Sequence, residues 1–385
     1  MFTTKGKFDM KSKIKPILGV LTLGFLGINL ACAGPTIEFG ENNESSLTVG
    51  MGLRTSYTNA DAGTSAARTN DFSLDTARVY LSGKLNSNIS GMLNYDAKAP
   101  TPNGGTGEVI DANAQFAISP DITIWAGRFL SPSDRANMAG SFYSLGGGYW
   151  SSIASRYGYN GGYIGRDDGV AVVGSAMLGK LQYGFGAFNG HTAFNIAPAP
   201  AGYTSTEKSS QPMYSGRVQY DFWDAEPGLL YGTGNYLGGK DILAIGIATR
   251  MSASGSSYST YNGDYNSTSV DFLFEKKGVG PGALSLEAAY YTYNTDGVVL
   301  SEQGKAYSGA LGYIFKEKIG WGQFQPFVRY QKFNADTQIT TEKYDFGTDY
   351  IIKAYNARVA GFYSKQSVTN STDTNSINVA LQVQF

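Results

Sequence analysis

Residues 376–385 read S-I-N-V-A-L-Q-V-Q-F. Ile377, Val379, Leu381, Val383 and Phe385 alternate with Asn378, Ala380, Gln382 and Gln384. Successive side chains of a strand point to opposite faces, so this stretch is a strand with one apolar face and one small or polar face. In a soluble sheet an apolar edge strand at a terminus invites aggregation unless something covers it. A closed barrel in a membrane removes that difficulty. Its apolar face meets lipid, its polar face meets the lumen, and its edge pairs with the first strand. The alternative is the last strand of a soluble β-sandwich, and the other segments decide between the two.

They repeat the pattern. Leu47, Val49, Met51 and Leu53 alternate with Thr48, Gly50, Gly52 and Arg54, and a polar loop, Thr58 to Asp71, follows. Ala77, Val79, Leu81, Gly83 and Leu85 then face away from Thr76, Arg78, Tyr80, Ser82 and Lys84. Asn86-Ser87-Asn88 and Ser119-Pro120-Asp121 are tight turns between further alternating runs. After an irregular stretch (131–168) the rhythm resumes from 169 and runs to the end, for about 16 strands in all. The segment 229–237 is a doubtful seventeenth. In a bacterial barrel both ends normally lie on the periplasmic side, which requires an even count, so 223–240 reads as an elaborate periplasmic turn; 14 or 18 strands stay open. Short turns alternating with longer polar loops make the fold class all-β, a transmembrane antiparallel β-barrel, and leave the sandwich little support.

Composition agrees. The 385 residues are 16% charged, below the quarter usual for soluble domains, and Gly 50, Tyr 27 and Phe 21 suit many strands, turns and aromatic girdles. The mean hydropathy of -0.21 excludes nothing, because only alternate residues of a barrel face lipid. At the amino terminus Lys5, Lys7, Lys11, Lys13 and Lys15 precede an apolar run from Ile17 to Leu30. That run is short of the ~20 residues of a spanning helix. It ends in Ala31-Cys32-Ala33, a small-x-small cleavage pattern, so residues 1–33 are expected to be a cleavable signal peptide and 34–385 the barrel. A lipoprotein cut before Cys32 is the alternative. Cleavage turns the formal charge of -1 into about -5 and removes the single cysteine. No thiol chemistry is then expected, nor any metal or cofactor, since the sequence has no Walker loop and no Cys/His ligand spacing. Nothing suits nucleic acid.

The stretch Phe72–Asp96, with A-R-V-Y-L-S-G-K-L and then M-L-N-Y-D, resembles the second hairpin of the phosphate-selective porin O/P family of Gram-negative outer membranes. So do I-D-A-N-A-Q-F (110–116) with I-W-A-G-R-F-L-S-P (124–132), and R-D-D-G-V-A-V-V-G (166–174) with L-Q-Y-G-F-G-A-F-N-G (181–190). The terminal Phe385 also looks like the signal by which the barrel-assembly machinery recognises its substrates. The resemblance implies a 16-stranded, trimeric porin with its third loop folded into the lumen. It does not settle the substrate: members named for phosphate carry a ladder of lumen-facing Arg and Lys, which this chain does not show cleanly.

A porin selects by pore width and by the charges at its constriction. The stretch 131–168 is far longer than a connection needs to be and is the candidate constriction. It and the strand before it offer Arg128, Asp134, Arg135, Arg156, Arg166, Asp167 and Asp168, together with Tyr143, Tyr149, Trp150 and other aromatics. Opposed Arg and Asp groups in a narrow pore would orient polar solutes; the plainer reading is that they pair and pin the loop to the wall. Alternation points Arg78, Lys84, Asp96, Asp111, Arg217, Asp271, Glu287, Arg329 and Arg358 inward, with Asp221 and Asp349. This wall is mixed in sign, and many of its charges are expected to be solvated or neutralised pairs. Tyr290, Tyr313, Trp321 and Tyr330 read as interfacial girdle. Enzymatic barrels need a His beside a Ser or Asp, and the only histidine, His191, sits in a loop with no marked nucleophile, so no enzyme is expected.

The expected function is a porin of a Gram-negative outer membrane, a water-filled channel for passive diffusion of small hydrophilic solutes or ions. Its expected partners are outer-membrane lipid and two further copies of itself. The first alternative is a phosphate- or anion-selective porin. The second is a structural or adhesive barrel with a plugged lumen, which bulky apolar side chains on the inward face would favour.

Overall fold

The structure, a computed structural model, describes residues 34–40, 43–61, 67–100, 106–146, 153–156, 165–190, 211–258 and 261–385. The proposed signal peptide, His191 and the aromatic part of the long loop lie outside them. A short strand β1 (Thr36–Phe39) precedes β2 (Ser45–Asp61), β3 (Arg68–Lys84), β4 (Ile89–Pro100), β5 (Thr106–Ser119) and β6 (Ile122–Leu130). A one-turn helix α1 (Arg135–Ala139) interrupts the loop before β7 (Arg166–Ala176), β8 (Leu181–Phe188) and β9 (Met213–Asp221). Then come β10 (Ile242–Tyr258), β11 (Tyr261–Val279), β12 (Gly282–Asn294) and β13 (Gly304–Phe315). The last four are β14 (Gln323–Ala335), β15 (Thr340–Lys353), β16 (Ala357–Val368) and β17 (Thr374–Gln384).

Strands β2 to β17 pair antiparallel in chain order, and β17 closes on β2 with Val379 opposite Tyr57 and Val383 opposite Leu53. The fold is thus a closed 16-stranded antiparallel barrel, as the alternation requires. β1 pairs with β2 at Ser45–Thr48, just beyond the point where the Met51 and Phe385 amides exchange hydrogen bonds. It therefore continues the line of β17 along the same edge of β2 and covers backbone that would otherwise be open.

The two solvents of the barrel are written in its burial. On β17, Val379 is 45% and Phe385 55% exposed on the outer side, while Gln382 is 2% exposed on the inner side. β11 and β13 alternate in the same way. Aromatic pairs such as Tyr290–Tyr307 and Tyr330–Tyr344 lie on the outer face, as a girdle requires. The stretch read as a polar loop after the first strand is instead mostly strand: past a bulge at Asp75, β2 and β3 stay paired out to Asp61 and Arg68. Polar residues are tolerated there because these strands run past the lipid-facing band. The doubtful segment 229–237 forms no strand; it belongs to the 222–241 connection between β9 and β10, at the end of the barrel where the other connections are short.

Candidate functional site in the barrel lumen

Two segments enter the lumen from opposite ends. From the long-loop end come residues 131–146 and 153–156 of the third loop; from the short-turn end comes 222–241. Both are held by side chains from the wall, which explains why so many inward charges are buried.

Wall arginines grip the loop by its carbonyls. Arg217 of β9 donates to Ser133 O at 3.1 Å, Arg329 of β14 to Leu145 O at 2.7 Å, and Arg358 of β16 to Ser144 O at 2.7 Å and Phe142 O at 3.3 Å. Arg54 of β2 reaches Ser141 O at 3.2 Å and Arg250 of β10 reaches the Ser131 hydroxyl. Each such charge-assisted bond contributes about 1.5–3 kcal/mol. Acids complete the set. Asp271 of β11 accepts both Arg217 nitrogens, at 2.5 and 2.8 Å, and the Arg135 amide at 3.1 Å. Asp349 of β15 accepts the Gly146 amide at 2.9 Å, and Asp345 pairs with Arg329. Gly246, opposite Asp271, makes the Arg217–Asp271 pair possible, since a Cβ there would strike the Arg217 guanidinium.

The inward turn is fixed just as firmly. Glu275 of β11 accepts the Tyr236 and Gly238 amides at 2.6 and 2.5 Å. Tyr355 donates to Asn235 O at 2.9 Å. These bonds offset the left-handed backbone at Tyr231 (φ 55) and Leu237 (φ 54), which side chains other than glycine adopt only at a cost of about 1 kcal/mol or more.

Turn and loop then clasp each other. Arg135 meets Glu226 in a two-pronged ion pair (2.5 and 2.8 Å), and also donates to Thr233 O at 3.1 Å and Gln219 Oε1 at 3.2 Å. The Gly234 amide donates to Tyr143 O at 2.9 Å. Burial disfavours a charged Glu226, but the Arg135 guanidinium and the Tyr236 hydroxyl outweigh it and hold the carboxyl below the usual carboxylate range. A depressed carboxyl contributes stability above its unfolded pKa and loses it only as pH falls through the folded one, so the clasp persists across neutral and mildly acidic pH.

Asp134, beside the clasp, behaves in the opposite sense. Burial first, and then the Asp271 carboxylate, raise it to about 6, although Tyr291 and Ser155 donate to it at 2.9 and 3.0 Å. A carboxyl raised in the folded state is destabilising when ionised, so the loop seat strengthens as pH falls from about 6 toward the ordinary 3.8. Current noise from loop movement is therefore expected to decrease over that window. An Asp134→Asn variant is expected to lose the dependence; noise that changes equally in the variant would refute the assignment to Asp134.

The described loop residues lie against β2 and β9–β17, and Met138 packs on β6–β8 as well; a gap remains beside β3–β5 and the start of β7. This gap, of about 40 Å³, is bounded by the wall residues Arg78, Tyr80, Asp111 and Arg166, by loop residues 138–143 and by Tyr231 of the inward turn. Arg78 pairs with Asp96 at 2.9 Å and lies over the Phe142 ring; Arg166 pairs with Asp111 at 3.1 Å and lies over Tyr231. Asp111 also accepts Tyr231 OH at 2.6 Å and Asn94 Nδ2 at 2.8 Å. The neck carries two cations and two carboxylates in contact.

The remaining candidates fall elsewhere. Arg156 pairs with Glu302 in the β12–β13 connection and lies over Phe333, at the loop end of the barrel. Asp167 is buried and accepts the Gly190 amide at 2.9 Å. Lys84 keeps its inward parity but sits at the short-turn end of β3. Glu287 faces inward on β12 with its Oε2 unbonded. Arg128 and Asp168 are corrections: they pair at 2.7 Å on the strand face that also carries Ile124 and Val170, so they belong to the outer side rather than to a constriction. Glu108 completes that set at 2.8 Å. The inward face also carries bulky apolar side chains. Tyr265, Tyr291, Tyr293, Ala306 and Phe333 form one buried apolar cluster with Ile153 and Ala154 of the loop, and Trp125, Phe129, Phe188 and Met213 form another with Leu230 of the turn.

Solved structures of outer-membrane porins share this barrel architecture. The anion-selective porin from Comamonas acidovorans superposes with a TM-score of 0.57, covering 89% of this chain and 100% of its own, at 13% identity. OprB of Pseudomonas putida, in its high-pH structure, gives 0.61 over 88% of this chain and 94% of its own, at 9% identity. The outer-membrane channel DcaP of Acinetobacter baumannii gives 0.54 over 92% and 100%, at 11% identity. At such identities the likeness concerns the fold. No protein-family profile matches the sequence, and no curated protein does.

Proposed function

We propose that the protein is a narrow outer-membrane channel for passive diffusion of ions and the smallest hydrophilic solutes, with its short-turn end toward the periplasm. The observation that supports this is the neck between β3–β5, the start of β7 and loop residues 138–143. It is lined by polar and aromatic groups and has room for only a water or two among the described residues. Its arginines are matched by carboxylates in contact, Arg78 with Asp96 and Arg166 with Asp111, so the field along the passage is close to balanced. That favours weak charge selectivity over the phosphate selectivity that the sequence resemblance suggested. Residues 1–33 would direct export, the C-terminal strand would engage the assembly machinery, and three copies would associate through their outer faces.

A second reading has its own support. The buried apolar clusters on the inward face and the Arg135–Glu226 clasp suit a barrel occluded at rest. Single-channel recording separates the two. Small, steady conductance steps with a reversal potential near zero under a KCl gradient are expected. A strongly anionic reversal potential would overturn the weak-selectivity reading in favour of the anion channel, and absence of steps in refolded, heat-modifiable protein would favour the occluded barrel.

A further inference from the structure

The inward turn creates a second cavity, separate from the neck. It has a volume of about 520 Å³ and opens at the short-turn end, between the 86–88 and 117–121 turns and the inner wall of β6–β8. That size falls within the range of small-molecule sites. One side is apolar, formed by Leu229 and Leu230 of the turn with Trp125 and Val173 of the wall. Trp125 is immobilised by stacking on Tyr231 and tilting against Phe129, so this surface is rigid.

The polar side is incomplete in a specific way. Ser175 and Gln182 both line the cavity, both are at least nine-tenths buried, and each keeps one polar atom without a hydrogen-bond partner. For Gln182 the unpaired atom is the acceptor: its Nε2 already donates to Glu226 O at 2.8 Å and to Gly179 O at 3.3 Å, which leaves Oε1 unmatched. For Ser175 it is the hydroxyl, which both donates and accepts. A buried polar group without a partner costs about 1–3 kcal/mol; both oxygens are enclosed at the cavity wall, so a ligand's polar end would offset that cost once the Ser175 or Gln182 side chain turns toward the cavity. The only charged lining residue among the described ones is Asp121, exposed at the rim.

We propose that this cavity binds a small aromatic or branched molecule, neutral or cationic, whose hydroxyl or amide group meets Ser175 and Gln182 while its apolar body rests on Leu229, Leu230 and Val173. Asp121 would disfavour anionic analogues at the entrance. The site lies on the periplasmic side of the neck in the proposed orientation, where it would hold a solute apart from the conducting path. It stands whether or not the barrel conducts.

The test uses refolded full-length protein in micelles and three probes that share one phenol ring: tyrosol (neutral), tyramine (cationic) and 4-hydroxyphenylacetate (anionic). Saturation-transfer NMR is expected to show saturable binding of the first two and weaker binding of the third. Ser175→Ala removes no existing hydrogen bond and is expected to fold normally while weakening tyrosol binding about tenfold, the effect of one buried hydrogen bond. Leu229→Trp fills the cavity and should abolish binding, and Asp121→Asn should bring the anion up to the level of tyrosol. Heat-modified gel migration confirms folding of each variant. Binding that is unaltered in both Ser175→Ala and Leu229→Trp, or no saturable binding by folded wild-type protein, would overturn the proposal.

Discussion

Replacing Glu226 by alanine is expected to raise single-channel conductance several-fold and to lower the unfolding midpoint in denaturant. Arg135 is almost fully buried, and Glu226 takes two of its guanidinium nitrogens. Removing Glu226 leaves the buried Arg135 only the Asp271 carboxylate, 3.7 Å away and already bound to Arg217, at a cost approaching the roughly 3–5 kcal/mol of a broken buried pair. The chain can avoid much of that cost by releasing the 222–241 turn or the α1 end of the loop and letting water reach Arg135, which widens the passage. Replacing the pair with apolar residues removes both buried charges together. An Arg135→Met/Glu226→Leu double variant is therefore expected to be less destabilised than the sum of its single variants. Additive losses, or a Glu226→Ala channel of unchanged conductance, would show that the turn and loop hold their places without the clasp.

Arg358→Met is expected to act on the other end of the loop. Arg358 bonds the carbonyls of Phe142 and Ser144 and lies 3.5 Å from Asp349, which in turn accepts the Gly146 amide. Its loss removes two carbonyl bonds and leaves Asp349 without its nearest cation, again on the order of 3–5 kcal/mol. The segment 141–146 should then leave the β15–β17 wall. Expected results are a larger and noisier conductance and a protease cut within the loop of the folded barrel, a cut not expected in the wild-type protein. Lys in place of Arg358 is expected to rescue only partly, since an ammonium cannot present the planar fork that reaches Ser144, Phe142 and Gln382 together. Full rescue by Lys would mean that charge alone matters at this position.

Both expectations depend on partners that no local pattern displays. Arg135 and Glu226 lie 91 residues apart, and Arg358 and Ser144 lie 214 apart. The sequence supported the reading that charges pin the loop to the wall; in the structure the pinning charges are chiefly the wall arginines Arg217, Arg329 and Arg358, which bond loop carbonyls. Arg54, Arg250, Glu275 and Tyr231 escaped notice because nothing about them is unusual until the loop and the turn are in place. Arg128 is a different case. Its parity with Ile124 and Ala126 already placed it on the outer face, and its nearness to the loop had suggested the lumen instead. The inward turn was legible only as a puzzle: Leu229, Leu230 and the tyrosines that follow have the composition of a strand, and the even strand count alone excluded that.

The sequence by itself determined the barrel and, for nearly every strand, which side chains meet lipid and which meet the lumen; it favoured sixteen strands, and the closed pairing of the structure fixed that number. The facing of the side chains is a consequence of period-two alternation between two different solvents, a property each strand carries locally. Only the tertiary structure decided what fills the lumen. The inward residues of sixteen strands converge on one axis, and a buried charge there must find a partner wherever the closed barrel happens to present one.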